Sequence, residues 1–147
     1  MRASMVRQSN FAASYALVAL ACVLVGCATG ESPACRTGER SMLSDLLYFG
    51  LSKPAGGVIT QEEWDDFLRV TVTPRFPAGL TAWPASGQWR GADGRIVREE
   101  SRVLQLLHPD DAESERSIRD ISDEYKRRFA QEAVLRVRSR ACTSISG

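Results

Sequence analysis

Residues 42–51 read MLSDLLYFGL, and this stretch decides how the rest of the chain is arranged. Apolar and aromatic side chains occupy both of its alternating positions, a pattern typical of a central strand that is buried on both faces. Residues 54–57, which read PAGG, break the run. The stretch therefore predicts a sheet with this strand at its centre, and the other elements must supply its neighbours and its cover.

A helix is predicted directly after this strand. Thr60 is followed three residues later by Glu63, the capping-box pattern in which both side chains satisfy backbone N–H groups at a helix start. The helix should cover residues 61–70, and three apolar side chains share one face of it: Trp64, Phe67 and Leu68. Acidic residues crowd its first turns, where the helix dipole favours negative charge, so we interpret them as a solvated face rather than a metal site.

A β-hairpin is the next predicted element. Residues 79–83 read as a strand, which a PASG segment interrupts and residues 88–90 resume. An Asp-Gly turn at residues 91–94 then leads into a return strand over residues 95–107.

A second helix and a last strand complete the chain. Residues 112–130 predict the helix because four apolar residues recur in it at helical spacing: Ile118, Ile121, Tyr125 and Phe129. In residues 132–142, Leu135 and Val137 alternate with three arginines, Arg136, Arg138 and Arg140. This alternation predicts a strand with one apolar face and one basic face.

The order of these elements is the ferredoxin-like α+β pattern βαββαβ. It predicts a four-stranded antiparallel sheet with two helices on one face. Strands 42–52 and 95–107 should be the two central strands of that sheet.

The N-terminal region has the pattern of an exported lipoprotein. Residues 1–15 carry two arginines and no acid, and residues 16–25 form an apolar run too short to span a bilayer. The sequence LVGC at residues 24–27 resembles the lipobox of bacterial lipoproteins, which implies lipidation of Cys27 and cleavage before it. The alternative is an ordinary signal peptide followed by a chance cysteine. Ala28 after the cysteine implies, by the same resemblance, the periplasmic side of the outer membrane if the bacterium is Gram-negative.

Three segments follow from this pattern: a signal peptide over residues 1–26, a tether over residues 27–40 and one α+β domain over residues 41–147. The leader holds two of the 19 basic residues and none of the 18 acids, so the remaining chain is close to neutral. Nothing in this balance favours nucleic acid as a partner.

Two of the four cysteines remain for the folded domain. Cys35 and Cys142 lie at its two ends, and an exported compartment permits a disulfide between them. The predicted first and last strands are antiparallel neighbours, which brings the two thiols within bridging range. The alternative is two free buried thiols. A zinc site is not expected because the cysteines lack C-x-x-C spacing and histidine partners.

Several motifs occur in the order known from one bacterial family: LYFG at 47–50, WDDFL at 64–68, TPRFPAGLT at 73–81 and GQW at 87–89. Together they resemble the uncharacterised lipoprotein and secreted-protein family numbered 3574 among the domains of unknown function, over residues 45–142. The resemblance implies a compact exported domain. It supplies no catalytic residue, because the family has no assigned activity.

Familiar catalytic patterns are missing from the sequence, which has no G-x-S-x-G elbow, no Walker loop and no H-E-x-x-H. The single histidine, His108, precedes a proline, which favours an exposed loop residue, with a role as a base as the alternative. Glu99 and Glu100 are adjacent and should point to opposite faces of their strand. Either a β-bulge or the burial of one carboxylate would accommodate two adjacent glutamates in this strand.

The strongest candidate binding face is the side of the sheet that carries no helix. Its arginines would bind a carboxylate by bidentate pairing, and its tryptophans would stack on a ligand. Ten residues are assigned to it: Tyr48, Arg75, Trp83, Trp89, Arg90, Glu99, Glu100, Arg136, Arg138 and Arg140. The alternative is an edge strand whose solvated arginines block aggregation, with both tryptophans in the core.

Two classes of function remain open. The favoured class is a non-enzymatic lipoprotein of the cell envelope that is anchored through Cys27 and binds an envelope protein or a small anionic ligand. The other is a small enzyme on the open side of the sheet, as a homodimer with a shared cavity. A pocket with a desolvated carboxylate would favour the enzyme, and a flat basic face would favour binding. The sequence predicts no cofactor and no metal.

Overall fold

The computed structural model describes residues 34–90 and 94–145, together with their side chains except that of Trp89. The leader and residues 27–33 of the predicted tether, including Cys27, lie outside this range, as do residues 91–93 of the predicted hairpin turn. The described elements are four strands and two helices: β1 (Arg40–Gly50), α1 (Gln61–Phe67), β2 (Thr81–Arg90), β3 (Ile96–His108), α2 (Ala112–Phe129) and β4 (Leu135–Thr143).

The four strands form one antiparallel sheet in the order β2-β3-β1-β4. In the centre, Leu47 of β1 pairs with Leu104 of β3 on one side and with Arg136 of β4 on the other. The ferredoxin-like α+β fold predicted from the order of the elements is confirmed. The strands predicted at the centre, β1 and β3, are the central strands.

One face of the sheet is covered by both helices, and an aromatic core fills the space between. Phe49 of β1 lies with ring centroids 5.4 Å from Trp64 and 5.8 Å from Phe67 of α1, and 4.5 Å from Tyr125 of α2. The hydroxyl of Tyr125 donates a hydrogen bond to the Gly50 carbonyl, at 2.9 Å. Burial raises the pKa of this hydroxyl well above its ordinary value, so it stays a donor.

Helix α1 begins as the capping-box pattern predicts. The backbone N–H of Glu63 donates to the Thr60 hydroxyl, and the Glu63 carboxylate accepts from the backbone N–H of Thr60. Lys53 donates to the same carboxylate at 2.8 Å, and these hydrogen bonds lower the pKa of Glu63. The helix continues through a π-helical turn over Leu68–Val72, two residues beyond the predicted end.

The strand predicted to break at PASG is continuous. Residues Thr81–Arg90 form one strand, and Pro84 pairs with Arg102 of β3. Proline lacks the N–H that an inner strand needs, but β2 is the edge strand of the sheet and has a neighbour on one side only. The interruption predicted from the turn residues is therefore wrong.

Burial of β1 on both faces is also wrong in part. Leu43, Leu47 and Phe49 are buried beneath the helices, whereas Leu46 and Tyr48, which alternate with them, are half-buried. The reason is that the second face of the sheet carries no helix, so its side chains are covered only by one another.

Cys35 and Cys142 form a disulfide with their Cα atoms 5.5 Å apart. Cys142 lies in β4 opposite Ser41 of β1, so the bridge joins the segment before the first strand to the end of the last strand. The bond closes a loop with a sequence separation of 107 residues. It therefore limits the freedom of the unfolded chain over almost the whole domain.

Replacing both cysteines with serine is expected to lower the free energy of unfolding by about 2–4 kcal/mol, because the unfolded chain regains that freedom. Urea unfolding of the oxidised protein and of the double variant measures the loss. Adding reductant should weaken the parent protein to the same degree and leave the variant unchanged. Equal midpoints for the two oxidised proteins would contradict the structural role of the bridge.

Candidate functional site

The side of the sheet without helices is the most distinctive surface of the described domain, and we call it the open sheet face. Strand alternation and register assign its members from β1, β2, β3 and β4: Arg40, Met42, Ser44, Leu46, Tyr48 and Gly50; Thr81, Trp83, Ala85 and Gly87; Val97, Glu99, Ser101, Val103, Gln105 and Leu107; Leu135, Val137, Ser139, Ala141 and Thr143. Of these described residues, only Arg40 and Glu99 are charged, and they lie at opposite ends of the face.

An apolar row crosses all four strands of the open sheet face. Register places Leu135, Tyr48, Val103 and Trp83 side by side, in the spatial order β4, β1, β3, β2. Val103 in the middle is 2% exposed although no helix covers it, because its neighbours shield it. Leu135 and Trp83 at the two ends are 61% and 39% exposed. Large apolar side chains that stay in water on a flat face are typical of a contact surface.

A groove of about 700 Å³ runs alongside this row, on the side of Glu99. Tyr48, Ser101 and Leu135 line it from the sheet, and Gln131 lines it from the loop before β4. The backbone N–H of Ser52 donates to Oε1 of Glu99 at 3.2 Å. Glu99 is half-buried, whereas the adjacent Glu100 is exposed on the other side of the strand, so neither a bulge nor deep burial is needed to accommodate the pair.

Gly50 makes the position of the Glu99 carboxylate possible. A Cβ atom at residue 50 would lie 2.6 Å from Oε1 of Glu99, which is closer than atoms approach, so the carboxylate would have to move. At Gly87, across the groove, an added Cβ would meet nothing within 4 Å. A side chain at residue 50 would therefore displace the Glu99 carboxylate, whereas one at residue 87 would displace nothing.

Gly50→Ala is expected to cost about 1 kcal/mol of folding free energy, because the displaced carboxylate loses its hydrogen bond to Ser52. The same substitution in a Glu99→Ala background should cost less, since the clash is gone. Gly87→Ala serves as the control and should change stability little. If the changes in folding free energy of the two substitutions are additive in this double-mutant cycle, Glu99 does not lie over Gly50.

The basic row of β4 is not on the open sheet face, so its predicted place is wrong. Arg136, Arg138 and Arg140 pair with Leu47, Asp45 and Leu43, whose side chains point to the helix-covered side. Leu135 and Val137 take the open side instead. The physical reason is a set of acids beneath the edge strand: Asp45 in β1, Asp110 before α2 and Glu115 within α2.

Asp45 is the centre of this charge cluster and is itself completely inaccessible to solvent. Arg136 donates to its two oxygens at 2.9 and 2.7 Å, and Arg138 donates to them at 3.2 and 3.3 Å. Both arginines also donate to Glu115. Burial works against the charged form of Arg136, but its hydrogen bonds to Asp45 and Glu115 raise the pKa of the guanidinium above its ordinary value.

His108 belongs to the same cluster and is not an exposed loop residue. It is the last residue of β3 and is 2% exposed. Its Nε2 lies 2.7 Å from Oδ2 of Asp45, and its Nδ1 lies 2.7 Å from the carbonyl oxygen of Pro109. Because both ring nitrogens already face an oxygen, neither is free to take a proton from a substrate. The alternative role of a catalytic base is therefore not supported.

The other predicted arginines of the binding face are dispersed. Arg75 lies after the π-helical turn, where it donates to the Thr71 carbonyl at 2.7 Å, and it lines a separate cleft of about 550 Å³ with Phe76 and His108. This cleft adjoins the start of β1, at the opposite end of the strands from Glu99. Arg90 pairs with Ile96 near the hairpin end, and Trp89 pairs with Val97. The structure thus brings together Tyr48, Trp83 and Glu99 from the predicted set, and it separates the arginines from them.

The described residues offer no convincing metal site. In that part of the chain, Cys35, Glu39 and Cys142 are the one group whose donor atoms lie close enough to share an ion, and its two cysteines are joined as a disulfide. None of the described helices combines the length and the hydropathy that are required to cross a bilayer.

The residues predicted from the sequence omit several members of these two sites. Asp45 and Glu115 are among them, although an aspartate inside an apolar strand indicates that a cationic side chain faces it. Leu135 and Val137 were identified as an apolar stripe but not as part of the open sheet face. Gly50 carried no signal, because its requirement arises from Glu99, which is distant in the sequence.

These features define a ferredoxin-like α+β domain with one helix-covered face, one nearly uncharged open face and an internal ion cluster under its edge strand. The chain belongs to the family described as protein of unknown function DUF3574, whose model matches residues 44–145. The family predicted from the sequence motifs is thereby confirmed. A search of curated proteins finds no match.

Solved structures are similar to this chain at low sequence identity. A phage SAM lyase in complex with S-methyl-5'-thioadenosine is similar with a TM-score of 0.54 and 13% identity, over 79% of this chain and 97% of the lyase. CutA from Synechococcus elongatus, complexed with a Bis-Tris molecule, is similar with a TM-score of 0.48 and 16% identity, over 73% of this chain and 88% of CutA. At such identities the likeness concerns the fold alone.

Proposed function

We propose that this protein is an exported lipoprotein of the cell envelope whose domain is a non-enzymatic interaction module, and that it binds a protein through the open sheet face. Lipid at Cys27 anchors it to the membrane, on the periplasmic side of the outer membrane in a Gram-negative cell. The LVGC motif supports the anchor. The composition of the open sheet face supports the interaction.

The observation that carries the proposal is the near absence of charge on the described open sheet face. A quarter of the chain is charged, yet the strands direct only Arg40 and Glu99 to this side. When one face of a sheet is solvated, the residues along each strand normally alternate, with apolar side chains toward the core and polar or charged side chains toward water. Interfaces between proteins are instead depleted of charge at their centre and enriched in aromatic residues, as the row with Tyr48 and Trp83 is.

The arginines of β4 do not support recognition of an anionic ligand. Arg136 and Arg138 are engaged by Asp45 and Glu115, and Arg140 donates to Asp110 at 2.7 Å. A ligand would have to displace carboxylates that are already in place. These ion pairs favour a protein partner over the small anionic ligand that the sequence also allows.

The groove beside Glu99 supports a second candidate, a small ligand or substrate with a cationic or N–H donor group. The specific observation is that Gly50 leaves room for a carboxylate above the strand. A ligand of this class would lose affinity in the Glu99→Gln variant, which removes the charge at constant shape. Calorimetric titration with cationic metabolites tests this candidate, and unchanged affinity in the variant would exclude it.

The membrane anchor is tested by fractionation of cells that express the Cys27→Ala variant. The parent protein should sediment with membranes, and the variant should be soluble or retain its leader. Mass spectrometry of the parent should find acyl chains on residue 27. Unmodified, wholly soluble parent protein would overturn this part of the proposal.

The interaction face is tested by placing one charge on it. Leu135→Asp should abolish protein crosslinks formed in intact cells, because a lone carboxylate in an apolar interface is costly to bury. Val58→Asp is the matched control, since Val58 is 62% exposed, like Leu135, but lies outside the four strands. Crosslinks that survive Leu135→Asp would show that partners bind elsewhere.

A further inference from the structure

We propose that the protein bound by the open sheet face is a second copy of this chain, with the two sheets stacked face to face and their strands antiparallel. A two-fold axis would run across the strands, between the sheets. This inference rests on the proposed function and names the partner of the same face. Three properties of the face carry it: its size, its midline and the position of its two charges.

The size of the face fits a homodimer. Four strands spaced by about 4.8 Å and ten residues long cover roughly 600 Å² before the relief of the side chains is added. A standard stable interface buries about 800 Å² of accessible surface on each partner. Sheets that pack face to face meet over a contact of this kind, with interdigitated side chains about 10 Å thick. A small ligand would leave most of the face exposed.

The residues at the midline of the face can lie against their own copies in a second chain. Val137, Leu46, Gln105 and Thr81 form a cross-strand row near the middle of β1. Across a two-fold axis, each residue on the axis meets its own copy, so a charged residue there would repel itself. This row is apolar or neutral throughout, and the apolar row with Tyr48 and Trp83 runs parallel to it.

The two charges of the face are complementary only when the strands are antiparallel. Arg40 opens β1, and Glu99 lies in β3 next to the end of β1, where it contacts residues 50 and 52. Reversing one sheet over the other brings Arg40 of each copy to Glu99 of the other. With parallel strands, the two copies of Arg40 would lie at the same end. In the described part of the chain, neither side chain forms an ion pair.

A charge exchange tests the inference with the full-length lipidated protein in detergent micelles. Light scattering should find two chains in each particle of the parent protein. Glu99→Arg and Arg40→Glu should each weaken self-association at least tenfold, because like charges then face each other across the interface. The double variant should recover to within about threefold of the parent. The recovery cannot come from a new ion pair within one chain, because about ten strand residues separate the two positions and hold them about 30 Å apart.

Thermal unfolding by circular dichroism checks that each variant is folded. One chain per particle in the parent, or single variants that both associate as the parent does, would overturn the inference. If the parent is a single chain and Leu135→Asp still abolishes crosslinks to a different protein, the second copy is excluded and the proposed function stands. If Leu135→Asp leaves every crosslink intact, the proposed function fails as well.

Discussion

Replacing Asp45 with Ala is expected to lower the free energy of unfolding by about 3–5 kcal/mol, because the partly buried Arg136 and the buried His108 lose the carboxylate that they contact. Asp45 is completely buried and accepts hydrogen bonds from Arg136 and Arg138. His108, itself 2% exposed, lies 2.7 Å from the same carboxylate. Glu115 still accepts hydrogen bonds from the two arginines in the variant, whereas the contact between His108 and Asp45 is lost. Urea unfolding at neutral pH measures the loss.

The ion pair between Asp110 and Arg140 is the matched control. It belongs to the same edge of the sheet, but both side chains are more than half exposed, at 56% and 54%. An exposed pair of this kind contributes about 0–1 kcal/mol, so Asp110→Ala should change stability little. If Asp45→Ala costs no more than Asp110→Ala, the cluster is not a structural centre, and the arginines of β4 become available for binding again.

Trp64→Ala should cause a loss of similar size, about 3–5 kcal/mol, because a large side chain is removed from a core that cannot collapse around the cavity. Trp64 is 2% exposed and lies at the meeting point of α1, α2 and β1. Its ring centroid is 5.4 Å from that of Phe49, 5.8 Å from that of Phe67 and 6.3 Å from that of Tyr125. Chemical denaturation again provides the measurement.

Trp64→Phe is the companion variant, because it keeps an aromatic ring in the cluster and leaves a smaller cavity. It should retain most of the stability that the alanine variant loses. A cost below about 1 kcal/mol for Trp64→Ala would be typical of a surface position and would refute the burial of α1 against the sheet.

The topology could be predicted because its signals are local. The capping box at Thr60 fixes the start of α1, and the apolar stripe of α2 fixes its buried face. The order of elements then leaves few ways to connect them, and the ferredoxin-like arrangement is among the commonest. The break expected at Pro84 was wrong because the edge position of β2, which tolerates proline, is a property of the assembled sheet.

The faces of β4 could not be predicted from β4 itself. Alternation separates Leu135 and Val137 from the arginines, but it does not say which set points to the helices. In most sheets covered by helices on one side, the apolar residues of a strand point to the helices. Here Asp45, about ninety residues earlier in the chain, reverses that default, because a buried carboxylate needs cations beside it more than the edge of the core needs two aliphatic side chains.

His108 was misjudged for a related reason. A proline after it suggested a loop, and a proline does limit the strand, which ends at this residue. The side chain nevertheless points to the covered side, where it meets Asp45 and packs beside Phe76, with ring centroids 5.8 Å apart. Burial of a single polar residue depends on a partner that only the fold supplies.

The central claim, that the open sheet face binds protein, is tested most directly by a photo-crosslinking amino acid placed at residue 83 in living cells. Trp83 is 39% exposed at the end of the apolar row. The same probe at Arg119, whose side chain is 57% exposed on the outer side of α2, is the control. We predict a discrete protein adduct from residue 83 and none from residue 119. The absence of an adduct at residue 83, or equal adducts from both positions, would contradict the claim.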